Sequence, residues 1–431
     1  MTNQPRQFAK KESRFRMTKY CLGILLSLCT FQAIGRADDP TVAFLSYTGN
    51  DIFPSYIIAT ASVDWNGDEQ RAEDKKTDDD PELEEDEIPL VGDENGSVGV
   101  EIENVPAGTR IIVEIFGQGF LRKSKWEGEI EDEIEVLHIY PKANWDYDAL
   151  RRCTQQKPAN LRIKVSFDGE VVVEMDETVQ LRSINDCPFY IKIDDEGEDV
   201  EDISVTFAAY VNENHSCIDG ILKEALDAAK ESGIINGFTG YQSESQDEVL
   251  SQVFAIWNAL QRRGIKYSDV STTIPSKFVY SQTVRLLDDT VAASQANCVD
   301  GSVLMASILQ KIGLDTYLVM VPGHCFLGFS DGNTEDETMF FLETTMLGSD
   351  NLKPVKDLPR LPAKIKKNEF SASYATFVSA LEKGKENYTE HEAAFASNED
   401  PETQLISISE AREMGVMPLS GPSEKIKQRL K

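Results

Sequence analysis

After residue 37 the chain contains no run of about 18 apolar residues, so nothing in that stretch predicts a membrane-spanning helix. Positive charge is in short supply. Lys and Arg number 43 against 74 Asp and Glu, a formal net charge of -31. A phosphate backbone would be repelled, which excludes nucleic acid as a partner. There is no Gly-rich phosphate loop and no internal repeat. The cysteines lack the paired spacing of a zinc site. The one strongly acidic segment lacks the fixed glycine and closing Glu of a calcium loop. No metal and no cofactor are expected.

A length of 431 residues predicts two or three domains. Residues 1–37 read as a signal peptide. Lys10, Lys11, Arg14, Arg16 and Lys19 form a basic region, Tyr20 to Ile34 is apolar, and Gly35-Arg36-Ala37 offers small residues for cleavage after Ala37. Met17 alone would also start a complete signal. The expected location is outside the cytoplasm, periplasmic or extracellular, and an uncleaved segment would be the one membrane attachment. Cys21 and Cys29 leave with the signal. Cys153, Cys187, Cys217, Cys298 and Cys325 remain, an odd number in an oxidising compartment. One thiol is therefore expected to stay free, and Cys298 is the choice for it. Among the four besides Cys298 three pairings are open, and Cys153 with Cys187 is one candidate pair.

Residues 38–211 read as a β-rich, sandwich-like region. Residues 41–62 alternate loosely as one or two strands, and an acidic insertion at 66–96 interrupts them. Its stretch from Asp68 to Glu87 carries twelve acidic and three basic residues and is expected to be solvated. Period-two apolar sets follow at Val98-Val100-Ile102, Ile111-Val113-Ile115, Ile134-Val136 and Leu161-Ile163-Val165-Phe167. Asp168-Gly169 is the strongest hairpin signal in the chain. Ile203, Val205 and Phe207 are expected to complete the β pattern. His138 reads as a surface or half-buried strand residue.

Helical spacing begins near Asn212. Ile218 to Ser232 and Glu248 to Arg263 read as helices, the second amphipathic and stopped by Gly264. Asn297 can cap a further helix, with Asp300 three residues on to answer it. Val303, Leu304, Met305, Ile308, Leu309 and Ile312 make that helix unusually apolar, so it is expected to be buried. Cys298 then lies at the first helical position. Free backbone N–H groups and the positive end of the dipole stabilise negative charge on its sulfur. Thr316 to Val321 and the stretch after Pro322-Gly323 read as strands, with His324 among apolar neighbours. Thr338 to Leu342 is another, ending in Glu343. Adjacent antiparallel strands would bring His324 and Glu343 side by side beneath the central helix, supplying nucleophile, base and orienter. Cys325 is expected on the opposite face from His324. His215 and His391 read as surface residues. Residues 351–431 read as a helical C-terminal extension.

Asn297-Cys298-Val299-Asp300-Gly301-Ser302, Pro322-Gly323-His324 and Leu342-Glu343-Thr344-Thr345 together resemble the core motifs of the bacterial transglutaminase-like superfamily, over residues 212–350. The resemblance implies an α+β chain with a papain-like core, a central helix packed on an antiparallel sheet, preceded by the sandwich-like region. It implies Cys298 as nucleophile, His324 as general base and acid, and the carboxylate as orienter. The superfamily most often has Asp where Glu343 stands. It also implies an oxyanion donor upstream of the cysteine, for which Gln282 and Gln295 are the candidates. The activity implied is that of a hydrolase or acyltransferase on amide or peptide bonds, with a protein or peptide substrate. The alternative is a transglutaminase-fold binding module without catalysis.

Overall fold

A computed structural model describes residues 40–63, 88–193, 199–243, 245–269, 273, 275–332, 338–350, 352, 361–365, 370–397 and 400–421. The expected signal segment and the acidic run from Asp68 to Glu87 lie outside the described residues. The chain is mixed α+β, with several separate sheets, and forms two compact units.

One unit takes its described residues from Met17–Ile203 and Thr273–Gln282, with Gly421. A four-stranded sheet runs in the order Thr41–Ser46, Val98–Val105, Ile134–Tyr140, Leu90–Gly92. A six-stranded sheet runs Asp51–Ile52, Glu170–Leu181, Lys157–Phe167, Thr109–Gly117, Leu121–Ile130, Asn144–Trp145. Its longest pair closes at Asp168-Gly169, where Phe167 pairs with Glu170 and both turn residues take positive φ, 48° and 89°. Such a turn matches the twist of the flanking strands. The alternating residues Ile111, Val113, Ile115, Leu161, Ile163 and Val165 are all fully buried, as period-two patterning requires.

Four expectations are corrected in these residues. The loose alternation over 41–62 does not give strands throughout. Pro54 opens a helix, Pro54–Ala59, because its fixed φ and missing N–H suit the first helical position. Val205 and Phe207 lie in a 3-10 helix, Ser204–Tyr210, with every residue buried. Their spacing marked an all-round apolar segment rather than a two-faced strand. His138 is buried against Glu101, with Nε2 and Oε2 3.0 Å apart. Cys153 and Cys187 are unpaired, as are Cys217, Cys298 and Cys325, so Cys298 is not alone in being free. Cys153 instead directs its thiol at the Arg182 carbonyl, 3.2 Å away.

The other unit takes its described residues from Ser204–Thr272 and Thr283–Ser420. Its sheet is antiparallel throughout, in the order Met339–Leu342, His324–Ser330, Thr316–Val321, Gln404–Ser407. The helix Cys298–Lys311 packs on the two middle strands. All its residues from Val299 to Leu309 are buried, as its nearly continuous apolar sequence requires. Val319, Val321, Phe326 and Phe341 form a separate cluster with Tyr388 and Phe395. Helix Ser371–Glu390 lies close against strand Met339–Leu342. Gly384 permits that approach, since a Cβ there would stand 2.5 Å from the Phe341 carbonyl carbon.

The boundaries therefore differ from the expected ones. Residues 351–431 are no mere helical extension. Gln404–Ser407 fills an edge of the sheet, pairing with Thr316–Val321. Four residues are too few to display a period, so this strand leaves little trace in the sequence. The unit begins at Ser204 rather than 212, and Thr273–Gln282 belongs to the β-rich unit. Its strand Val279–Thr283 pairs in a three-stranded sheet with Asp186–Lys192, itself beside Val200–Asp202.

Candidate active site

Cys298 is the first residue of its helix. The Asn297 side chain accepts from the Asp300 N–H at 2.8 Å, and Asp300 Oδ2 accepts from the Asn297 N–H at 3.2 Å. This reciprocal cap fixes the entry angle of the chain and so the direction of the thiol. Asp300 is itself fully buried. Arg285 holds it twice, donating from its backbone N–H at 2.8 Å and from its guanidinium at 2.9 Å. Burial pushes the Asp300 carboxyl up, and these donors oppose that. The N–H groups of the first two helical residues, Cys298 and Val299, have no carbonyl one turn back to bond.

The helix start is also tied to the segment after Glu343. Thr344 Oγ1 stands 3.2 Å from Ser302 Oγ, which donates to the Cys298 carbonyl at 2.8 Å. Gly301 makes this approach possible, because a Cβ there would lie 2.9 Å from Thr344 Oγ1.

His324 opens its strand directly after the Pro322-Gly323 turn, paired with Val321. Its Nε2 lies 2.6 Å from Glu343 Oε2. Glu343 is 2% exposed, and its carboxylate is held on every side. Oε2 also accepts from Asn387 Nδ2 at 2.8 Å, and Oε1 accepts from the Thr345 N–H at 3.1 Å and the Thr345 hydroxyl at 2.7 Å. The Glu343 N–H donates to the Ala380 carbonyl at 2.9 Å, anchoring the backbone to the same helix that carries Asn387.

The electrostatics tie all three groups together. Burial alone would lower the His324 pKa. Coupling to Cys298, with the hydrogen bond and negative charge of Glu343, outweighs it and pushes the imidazole up to about 10. Burial alone would raise Glu343, but the hydrogen bond and positive charge of His324 and the donors of Thr345 hold it below the usual carboxylate range. Nε2 is the nitrogen engaged by Glu343. The buried carboxylate fixes the ring plane and tautomer of the imidazole.

Several residues at this site were not found by sequence reasoning. Asn387 lies 44 residues beyond Glu343 in the polar half of a helix and carries no motif. Arg285 lies in the connection before the central helix. The half-exposed Tyr267 has its hydroxyl pKa raised, first by burial and then by the charges of Asp269, Cys298 and Glu343, which places its phenol within reach of the site's field. Of the proposed oxyanion donors, Gln295 is exposed on a two-residue ladder with Lys266, and Gln282 belongs to the β-rich unit. Cys325 is fully buried, and burial pushes its thiol well up. His391 caps back onto the Asn387 carbonyl at 2.9 Å. His215 is not a simple surface residue, being only 13% exposed between Cys217 and Asp288.

Comparison with protein-family models, curated proteins and solved structures found no match to this chain.

Proposed function

We propose that the chain is an exported thiol enzyme of the transglutaminase-like kind, acting on amide or peptide bonds of a protein or peptide substrate. The central helix over an antiparallel sheet corresponds to a papain-like core in this reading, and the β-rich unit to a sandwich-like companion. The observation that carries it is the placement of His324, hydrogen-bonded through Nε2 to a buried, four-times-held Glu343 and electrostatically coupled to Cys298 at the start of the central helix.

The chemistry follows from that placement. His324 takes the thiol proton of Cys298, and the raised imidazole pKa favours the resulting imidazolium. The sulfur attacks the amide carbonyl carbon. A C–S bond forms, and the oxyanion faces the Cys298 and Val299 N–H groups at the positive end of the helix. The C–N bond breaks as His324 gives its proton to the leaving amine, which leaves a thioester on Cys298. Water, deprotonated by His324, releases the acid. An amine in the same position gives transfer instead. Glu343 keeps its charge throughout and holds the ring; its extra methylene relative to Asp is taken up by the support of Asn387 and Thr345.

A module that only binds would need neither a free Cys298 nor a His324 imidazole held by a buried carboxylate, and both are present. The test is Cys298→Ala, assayed against fluorogenic peptide amides and against glutamine peptides with an amine acceptor. Loss of all such turnover with the fold intact supports the proposal. Turnover unchanged in the variant contradicts it.

A further inference from the structure

A second thiol cluster lies in the same unit and has no place in the chemistry above. His215 is the cap of helix Ser216–Glu231, and Cys217 is the second residue of that helix. His215 Nδ1 and Cys217 Sγ are 3.1 Å apart. Asp288, on helix Leu287–Ala293, brings Oδ1 to 3.5 Å from His215 Nε2. One donor atom from each of the three residues falls in a set whose members all lie within 4.8 Å of one another. Among the described residues it is the one group of three or more His, Cys, Asp and Glu side chains to gather that closely.

We propose that His215, Cys217 and Asp288 bind a divalent transition-metal ion of the zinc class. Three features carry this. The first is the donor set: thiolate, imidazole and carboxylate are the three side-chain ligands zinc takes. The second is compactness. One donor atom from each residue lies within 4.8 Å of the other two, so small side-chain rotations bring all three round a shared ion. With Zn–S of about 2.3 Å and Zn–N of about 2.0 Å, a tetrahedral site separates sulfur and nitrogen by roughly 3.5 Å. The His215–Cys217 pair needs to open by only a few tenths of an ångström to meet that. The third is access. His215 is 13% exposed and held by its neighbours, while the Asp288 side chain is 48% exposed. The carboxylate can therefore swing to the nitrogen that takes the ion, and water can fill the remaining position. Thiolate and carboxylate together supply two negative charges to offset the ion. Binding displaces the Cys217 thiol proton to water and replaces the thiol–imidazole hydrogen bond with two metal–ligand bonds.

Cobalt(II) titration of the purified full chain, stripped of metal, tests this by absorption. The expected result is one equivalent bound, with a near-ultraviolet thiolate-to-cobalt band that zinc(II) abolishes. Cys217→Ser should lose the band, His215→Ala should weaken binding at least tenfold, and Asp288→Asn should weaken it by a smaller factor. Cys298→Ala should leave the titration unchanged. Far-ultraviolet circular dichroism of each metal-free variant shows whether its fold is kept. No thiolate band in the wild-type chain overturns the proposal. So does a band that survives Cys217→Ser, or one that disappears with Cys298→Ala.

Discussion

At the scale of single residues, His324 is the group whose charge state decides what the site can do. Its folded pKa of about 10 lies above the ordinary 6.5, so the proton it holds stabilises the fold fully below about 6.5, and that stabilisation is lost as pH rises through about 10. In the proposed mechanism the same proton goes to the leaving amine. Activity is therefore expected to fall on the alkaline side with a midpoint near 10. Glu343→Gln removes one of the charges that raise the imidazole. The alkaline limb should then move to lower pH, and turnover should drop roughly 10²–10⁴-fold. A pH–rate profile of both proteins, with histidine ring NMR to follow His324 itself, checks the two effects together. An alkaline limb unmoved by the substitution would mean that Glu343 does not set the charge of His324. Cys298, His324 and Glu343 were legible because each sits at an element boundary that the sequence marks: a cap, a Pro-Gly turn, the end of an apolar run. Asn387 and Arg285 were not, because their role is a single long-range hydrogen bond each, and no local pattern encodes that.

At the scale of elements, the site depends on two pieces that hold the three residues without taking part in bond making. The first is the Asn297–Asp300 cap with Arg285 behind it. Arg285→Ala leaves the fully buried Asp300 charge without its cation, and the expected loss is about 3 kcal/mol of stability, read from urea unfolding at neutral pH. A change within a few tenths of a kcal/mol would show that Asp300 is compensated elsewhere. The second is helix Ser371–Glu390, which carries Asn387. Asn387→Ala removes a donor to a buried carboxylate, and kcat should fall roughly 10- to 100-fold with KM little changed. A structural role alone would lower the melting temperature but leave kcat per folded molecule intact, so both are measured. Legibility was uneven at this scale too. The Asp168-Gly169 hairpin and the apolar Cys298 helix follow local rules, and both form where those rules put them. Helix Pro54–Ala59 and the 3-10 turn Ser204–Tyr210 are short apolar segments buried all round, where tertiary packing overrides period.

At the scale of the whole molecule, the chain interleaves its two units. Thr273–Gln282 leaves the helical unit to join the β-rich one, and within the helical unit Gln404–Ser407, far along the chain, completes the sheet beneath the central helix. Such long-range exchanges explain why boundaries drawn from composition along the chain missed them. The thiols make a test at the same scale. All five cysteines after residue 37 are free, three of them buried and Cys217 and Cys298 half-exposed. Alkylation without reductant is expected to modify all five once the protein is unfolded in denaturant. In the native state only Cys217 and Cys298 should react. Fewer than five alkylated positions in the unfolded chain would reveal a disulfide.

The central claim is that Cys298 is an activated nucleophile, and the rate of its alkylation measures this most directly. Native protein is treated with iodoacetamide near neutral pH and sampled over time, and each cysteine is quantified by peptide mapping. Cys298 is expected to react well before Cys217 and much faster than a free thiol in solution. His324→Ala is expected to remove the advantage. Labelling of Cys298 no faster than a free thiol, or unchanged in the His324 variant, would contradict it.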